Sequence, residues 1–560
     1  MTEERDIVPD VSGGELATRV LARSGVEVVF MLHGAHIDST YRACVEHGIR
    51  IVNVRHEAAG GHAAEGYARA GRRLGVALVT AGPGATNCVT SMANAYLDRT
   101  PVLYLGGGAA VADEEGNALQ SGVDLVALAR PVAKWAHRVL RTEQIPRLLA
   151  QAVRIATTPP TGPVFVEIPE DVLERSVPDA LDPLPERVVL ESRRPPAIDE
   201  IDEAIRLLRS AARPAIMAGG DVYSDGAWDE LRAFARASSL PVFTQFEALG
   251  TLPCDDPLWA GTFAQLSQLP RAVQPDLVLA LGVRFGYHAP GFRTAVDADV
   301  IHVEVDPKEI GRPRPARLAI VADCREALRA LNARVRLGGE LTDPSSWITQ
   351  VRAAITGGIQ AAIARSAGDD QLHPYRIART VCEAVGPDAV IVGDGAFAKH
   401  WLDDAITRNR PGSYFTHGSL GAMGMGLGLA MGARLANPER AVVCMTGDGS
   451  VGFNIAEFDT MVRHDIPVVV VVVNNRSWGE PRSLGPASNT PYPLVGLTLG
   501  DARYGDVAEA FGCFGATVEH LDDLAPTLRK ALSSGLPACI DVRLSSPISP
   551  SFSLRALRTA

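Results

Sequence analysis

Residues 441–475 read AVVCMTGDGSVGFNIAEFDTMVRHDIPVVVVVVNN. A β-branched run ends at a Gly-Asp-Gly turn, an amphipathic stretch follows, and six consecutive valines lead into Asn474-Asn475. This is the pattern of strand, turn, helix and buried strand. Gly447 and Gly449 let the backbone come close to phosphate oxygens, and the N-terminus of the following helix favours anionic charge. Asp448 offers a hard carboxylate oxygen and Asn475 an amide oxygen, a pair suited to Mg²⁺ bridging a diphosphate. A GDG turn alone, or an Asn-Asn strand end alone, is ordinary. The two separated by 24 residues within one strand–turn–helix–strand unit favour the metal–diphosphate reading.

The same rhythm runs through the chain. Short apolar runs (VEVVFML, IRIVNV, GVALVTAG, PVLYLGG, GPVFVEI) alternate with amphipathic stretches and predict βαβ units around buried parallel sheets. With 560 residues the chain is too long for one core, and length alone implies three or four domains. Two Pro- and charge-rich stretches, about 173–198 and 339–373, divide it. The expected units are residues 10–185, 198–340 and 372–545, followed by a tail, 546–560, without strand pattern that could act as a lid. The first and last units both open with an amphipathic helix (GGELATRVLARSG, YRIARTVCEAVG) followed by a strand, which implies two related domains flanking a different one.

Composition excludes several classes. A net charge of −11 gives no basic surface for nucleic acid. No run reaches the roughly 20 apolar residues of a membrane helix. The acidic N-terminus MTEERDIVPD lacks a signal-peptide core. Eight scattered cysteines include no CxxC, so neither a disulfide frame nor a zinc site is implied, and a cytoplasmic location is expected.

The GDG…NN pattern resembles the signature of thiamine-diphosphate (ThDP) enzymes. That resemblance implies a three-domain α/β architecture of parallel sheets flanked by helices: pyrimidine-binding, middle Rossmann-like and diphosphate-binding domains. It implies Asp448, Asn475 and the Ser477 backbone oxygen as metal ligands. Gly395, Gly447, Gly449, Ser450 and His417 become cofactor contacts. Glu57, in VRHEAAGGHAAEGYARA, becomes the carboxyl that hydrogen-bonds the aminopyrimidine. Met423, in THGSLGAMGMGLGLAMGA, becomes the apolar post that bends the cofactor. The family places its cofactor between subunits, so a homo-oligomer, a dimer of dimers, is implied.

Within that family, LHGAH, RHEAAGGHAAEGYARAG, KWAHRV and NNRSWG are similar to benzaldehyde lyases. His33 and Gln120 then fall at positions able to orient a hydroxyl and to donate to a developing oxyanion. The departures are charged. Glu170 stands where an aromatic wall is found, Lys399 replaces a tyrosine and Glu480 a small alanine. Unpaired buried charge is costly beside a phenyl ring. These changes resemble 2-hydroxyacyl-CoA lyases, which split a 2-hydroxyacyl-CoA, such as 2-hydroxyisobutyryl-CoA, into formyl-CoA and an aldehyde or ketone. Glu480 is then the base for the 2-hydroxyl. Arg284, Lys308, Arg312, Lys399, Arg555 and Arg558 are expected to contact CoA, and the middle domain to hold ADP or CoA. The alternative is an acyloin or benzoin lyase acting on free aldehydes. A non-catalytic scaffold is disfavoured, because it needs none of Glu57, Met423, Asp448 and Asn475 together.

Overall fold

The computed structural model describes residues 10–179, 187–286, 296–312, 314–338, 345–366, 372–479 and 496–544. Three six-stranded sheets organise them, and every strand pair within these sheets is parallel. The first sheet is built from β1 (Val28–Leu32), β2 (Arg50–Asn53), β3 (Gly75–Val79), β4 (Val102–Gly108), β5 (Trp135–Arg138) and β6 (Val164–Pro169), in the order β2-β1-β3-β4-β6-β5. The middle sheet holds β7 (Pro214–Ala218), β8 (Val242–Thr244), β9 (Trp259–Thr262), β10 (Leu277–Leu281), β11 (Asp299–Val303) and β12 (Leu318–Ile320), ordered β9-β8-β7-β10-β11-β12. The last holds β13 (Val390–Gly393), β14 (Tyr414–Thr416), β15 (Val442–Gly447), β16 (Val469–Asn474), β17 (Phe514–Val518) and β18 (Ala538–Arg543), ordered β14-β13-β15-β16-β18-β17. The outer sheets thus share one strand order and the middle sheet has another.

Four helices position the candidate site residues: α1 (Glu57–Gly71), α2 (Pro83–Asn87) and α3 (Val89–Leu97) in the first domain, and α4 (Gly426–Ala436) in the last. Glycine inside a helix costs about 1 kcal/mol relative to alanine, yet α1 carries Gly60, Gly61 and Gly66, and α4 carries Gly428 and Gly432. The reason is contact between the two helices. A Cβ on Gly66 would lie 2.2 Å from the Leu429 carbonyl oxygen, and one on Gly432 would lie 2.0 Å from that of Ala63. The two backbones therefore touch, and one apolar core, from Phe30 and Tyr104 through Leu429 to Val470, runs through both outer domains.

All eight cysteines are free thiols. Among the described residues, no helix is long and apolar enough to cross a membrane.

Because the neighbour at Gly432 is main chain, Gly432→Val cannot be absorbed by a rotamer change. We expect a loss of about 3 kcal/mol, seen as a lowered thermal midpoint. Gly357→Ala, at an open helical position without positive φ, serves as the control.

Candidate active site

Parallel α/β sheets collect ligands at the carboxyl ends of their strands, and the predicted site residues gather at two such ends. In the last domain, β15 and β16 are neighbours, with Gly447 registered against Val473. Asp448 and Asn475 therefore leave the sheet side by side. The Ser477 N–H donates both to Asp448 Oδ2 (3.2 Å) and to Asn475 Oδ1 (3.2 Å), so one hydrogen draws the two oxygens together. Asn475 Nδ2 donates to the Gly479 carbonyl (2.9 Å), which turns the amide oxygen toward Asp448. Asp448 Oδ1 accepts from Gly449 N–H (3.0 Å), and the Tyr504 hydroxyl donates to the Asp448 carbonyl (3.2 Å). Burial pushes the Asp448 carboxyl up to about 6, against the pull of backbone N–H donors. A buried carboxylate held by N–H groups, with an amide oxygen beside it, suits a hard divalent cation. The donor set fits Mg²⁺.

The Asn-Asn pair divides its work. Asn474 Nδ2 donates instead to Asp541 Oδ1 (3.0 Å), and Asn474 Oδ1 accepts from Arg476 N–H (3.2 Å). Asn474 closes the sheet end and Asn475 faces the site.

Around this centre, Ser450 Oγ lies 2.4 Å from where a Cβ on Gly395 would sit, and the Trp478 ring packs on Gly449. His417 is buried, with Nδ1 3.0 Å from the Gly418 carbonyl. Met423 is 42% exposed and Phe453 58% exposed, an apolar pair standing beside a polar turn.

The first domain supplies the other half. Glu57 opens α1 and is buried, and its Oε2 accepts from Asn87 Nδ2 (2.9 Å) at the end of α2. The Cys88 thiol donates to the Glu57 carbonyl (3.4 Å). Glu457 of the last domain reaches across to accept from Arg55 N–H (3.1 Å), securing the entry to α1. Gln120, after β4, covers Gly82, after β3: a Cβ there would lie 2.9 Å from Gln120 Cβ. His33, after β1, pairs through Nε2 with Asp38 (2.7 Å) and meets the Tyr41 ring edge-on at 5.3 Å. A carboxylate accepts, so Nε2 carries the hydrogen and Nδ1 is left as an acceptor. Glu170 follows β6 on the same edge and is half-buried. Glu57, His33, Gln120 and Glu170 thus occupy one edge of one sheet.

Other expectations need correction. Lys399 is 1% exposed, with Nζ 2.5 Å from Asp403 Oδ2 and 5.3 Å from the centre of the Phe246 ring. Tyr414 donates to the second oxygen of Asp403 (2.7 Å). Spacing of four along a buried helix face pairs the two charges inside the core. Lys399 is therefore removed from any CoA contact and from the pocket wall. In the middle domain, Arg312 is 68% exposed and paired with Glu309 (2.8 Å), and Lys308 lies exposed on the same turn. Arg284 donates to the Leu97 carbonyl and lines a cavity of about 470 Å³ where the three domains meet. The strand ends at that cavity are acidic. Asp221, Glu304 and Asp306 surround Arg99 of the first domain at 3.2, 2.8 and 3.6 Å. Burial and Asp221 push the Glu304 carboxyl up to about 7, and the same causes bring Asp225 to about 7. Arg99 is committed to Asp221, Glu304 and Asp306, while Arg69, Arg72, Arg73, Arg193 and Arg284 line the same cavity, so its charge is mixed. Glu480, Arg555, Arg558 and the 546–560 tail lie outside the described residues.

Sequence reasoning missed Asn87, Glu457 and Asp394. The last had a signal: GDGAF at 393–397 repeats the Gly-Asp-Gly turn after β13, the strand beside β15.

Comparison with known proteins shows the family. The model of the thiamine pyrophosphate enzyme N-terminal TPP binding domain matches residues 11–128. The central-domain model matches 201–331 and the C-terminal TPP binding domain model 394–542. The chain belongs to the thiamine pyrophosphate enzymes, in their acetolactate synthase-like family. It is 34% identical over 541 residues to the acetolactate synthase large subunit of Mycobacterium tuberculosis, covering 94% of this chain and 95% of that one. It is 31% identical over 542 residues to the acetolactate synthase isozyme 3 large subunit of Escherichia coli, covering 93% and 92%. A probable acetolactate synthase large subunit of Methanocaldococcus jannaschii is 30% identical over 553 residues, covering 95% and 92%.

The divided roles of the asparagines give a test. Asn475→Leu should weaken Mg²⁺-dependent ThDP binding at least about tenfold, with the thermal midpoint of the cofactor-free protein nearly unchanged. Asn474→Leu should instead destabilise the protein by about 1–3 kcal/mol, because it takes the Asn474 donor from the buried Asp541 Oδ1, while Oδ2 keeps the Tyr504 N–H. Calorimetric titration and thermal melts read the two effects separately.

Proposed function

We propose that this chain is a ThDP- and Mg²⁺-dependent carbon–carbon lyase that splits a 2-hydroxyacyl-CoA into formyl-CoA and a ketone or aldehyde. The observation that carries this reading is where the chain leaves the metal ligands. Asn475 holds the Gly479 carbonyl at 2.9 Å, and Glu480 follows Gly479 in the sequence. Glu170, half-buried at the edge shared by His33 and Gln120, adds a second charge where a phenyl ring would need apolar contact.

Bound ThDP supplies a carbon nucleophile and an electron sink for the carbonyl carbon. The chain's own groups do the rest. Asp448, Asn475 and the Ser477 carbonyl hold Mg²⁺, and the N–H groups of the 447–450 turn meet the diphosphate. Glu57, kept in place by Asn87, holds the pyrimidine ring, and Met423 supports the middle of the cofactor. His33, steadied by Asp38, helps to orient the substrate, and Gln120 donates to the developing oxyanion. Glu480 takes the 2-hydroxyl proton as the C–C bond breaks. Anion contacts to CoA are assigned to Arg284 and to Arg555 and Arg558 of the tail.

The assembly we propose is a homo-oligomer with Glu57 and Asp448 facing each other across subunits. Exposed apolar residues support it on both halves: Tyr96, Leu97, Leu119 and Val123 in the first domain, Leu420, Met423 and Phe453 in the last. Leu119 is 80% exposed, a degree of exposure that association would relieve.

A second reading, acetolactate synthesis, is favoured by the full-length relatives that carry that name. Parallel assays separate the possibilities: formyl-CoA with acetone or benzaldehyde, benzaldehyde alone, and a 2-oxo acid alone. Formation of a 2-hydroxyacyl-CoA supports the proposal. Benzoin from benzaldehyde alone, or acetolactate from the 2-oxo acid, with no CoA ester formed, overturns it.

Glu480→Gln should lower kcat for hydroxyacyl-CoA cleavage by roughly 10²–10⁴-fold, the usual share of a general base, while Mg²⁺ and ThDP affinities hold. A wild-type rate would remove Glu480 from the mechanism. Deleting residues 546–560 should raise KM for the CoA ester with ThDP binding unchanged, and unaltered CoA kinetics would count against a lid.

A further inference from the structure

Asp394 is fully buried, and its carboxylate joins three segments of the last domain. Oδ1 accepts from Gly395 N–H (2.7 Å) and Gly424 N–H (3.1 Å), and Oδ2 accepts from the Thr446 hydroxyl (3.1 Å). Gly426 N–H is a further donor to it. One side chain therefore connects the turn after β13, the loop carrying Met423, and the end of β15 where Asp448 begins.

The Met423 loop is gripped a second time. Asn454 Nδ2 donates to the Gly424 carbonyl (2.7 Å). Both polar groups of Gly424 are thus held by side chains from other segments. Gly424 adopts φ +81°, and a Cβ there would lie 2.3 Å from Phe453 Cβ, so glycine is required. Met423, immediately before it, projects an apolar side chain that remains 42% exposed. Exposed methionines are usually adaptable. This one stands on a peptide fixed from both sides.

We propose that Asp394 is a positioning residue for the cofactor. Through Gly424 it sets the height and direction of Met423, and through Thr446 it aligns that post with the Asp448–Ser450 turn. The middle and the diphosphate end of the bound cofactor are thereby referred to one buried carboxylate. The inference rests on the ThDP-binding reading and on the supporting role given to Met423. It does not depend on which substrate is cleaved.

The prediction is specific to cofactor geometry. In Asp394→Asn the carboxylate charge is lost, so the charge-assisted hydrogen bonds from the Gly395 and Gly424 N–H groups weaken while size is kept. At saturating ThDP and Mg²⁺, the near-ultraviolet circular-dichroism band of the bound cofactor should weaken, and ThDP affinity should fall about tenfold, as for other groups that orient ligand-bearing residues. Met423→Ala should weaken the same band. The double variant Asp394→Asn/Met423→Ala should lose less than the product of the two single losses, because the part of the effect carried through Gly424 acts by way of Met423. Asn454→Ala, which releases the other side of Gly424, should behave like Asp394→Asn and decides the matter if that variant does not fold.

A wild-type dichroism band in folded Asp394→Asn would overturn the assignment, as would losses that multiply independently with Met423→Ala. If the wild-type protein itself gave no ThDP-dependent band, the cofactor reading would fail first, and the two failures are told apart by that control.

Discussion

The backbone contact between α1 and α4 is the constraint on which the rest of the molecule depends. Glycine at 66 and 432 lets main chain meet main chain, and the apolar core of the first and last domains is continuous across it. The helix that begins with Glu57 is therefore packed, along its length, on the helix that follows the Met423 loop. Glu457 adds a polar contact at the entry to α1. The Glu57 helix and the Met423 loop of one chain are thus carried on one block, so each chain offers its two half-sites in a fixed relative placement, and preorganised charges act on a reacting centre without reorganising first.

Much of this was legible in the sequence because it rests on periodicity and on turn chemistry. The valine run before Asn474 and the GDG turn before Ser450 specify neighbouring parallel strands, and the register of Gly447 with Val473 follows from them. The shared helix–strand opening of the first and last units anticipated their common strand order. Glu57 was visible as an acid at a strand-to-helix junction. What stayed hidden depends on contacts between distant segments. Nothing local in GDGAFAKHW distinguishes a lysine aimed at a ligand from one four residues before a buried aspartate, and the structure puts Lys399 against Asp403. Likewise Asp394 gains its meaning from Gly424 and Thr446, 30 and 52 residues away.

The middle domain teaches a different lesson. Basic residues in a loop after a strand read as an anion site, but charge in sequence is not charge in space. Arg99 enters from another domain and meets Asp221, Glu304 and Asp306, so the strand ends of the middle sheet are committed to an interdomain ion-pair network. Such a network couples the first and middle domains. Removing the arginine alone would leave several buried carboxylates without their cation, a change far costlier than the loss of an exposed pair.

The central claim is that two half-sites, one bearing Glu57 and one bearing Asp448, serve a single cofactor from different subunits. Co-expression of Glu57→Gln and Asp448→Asn chains tests it most directly, each variant being inactive by itself. With random pairing, half of the dimers are mixed and each mixed dimer holds one intact site, so the mixture should regain about a quarter of wild-type activity per site. A mixture as inactive as its separate components, with mixed dimers demonstrated by differential tags, would contradict the account.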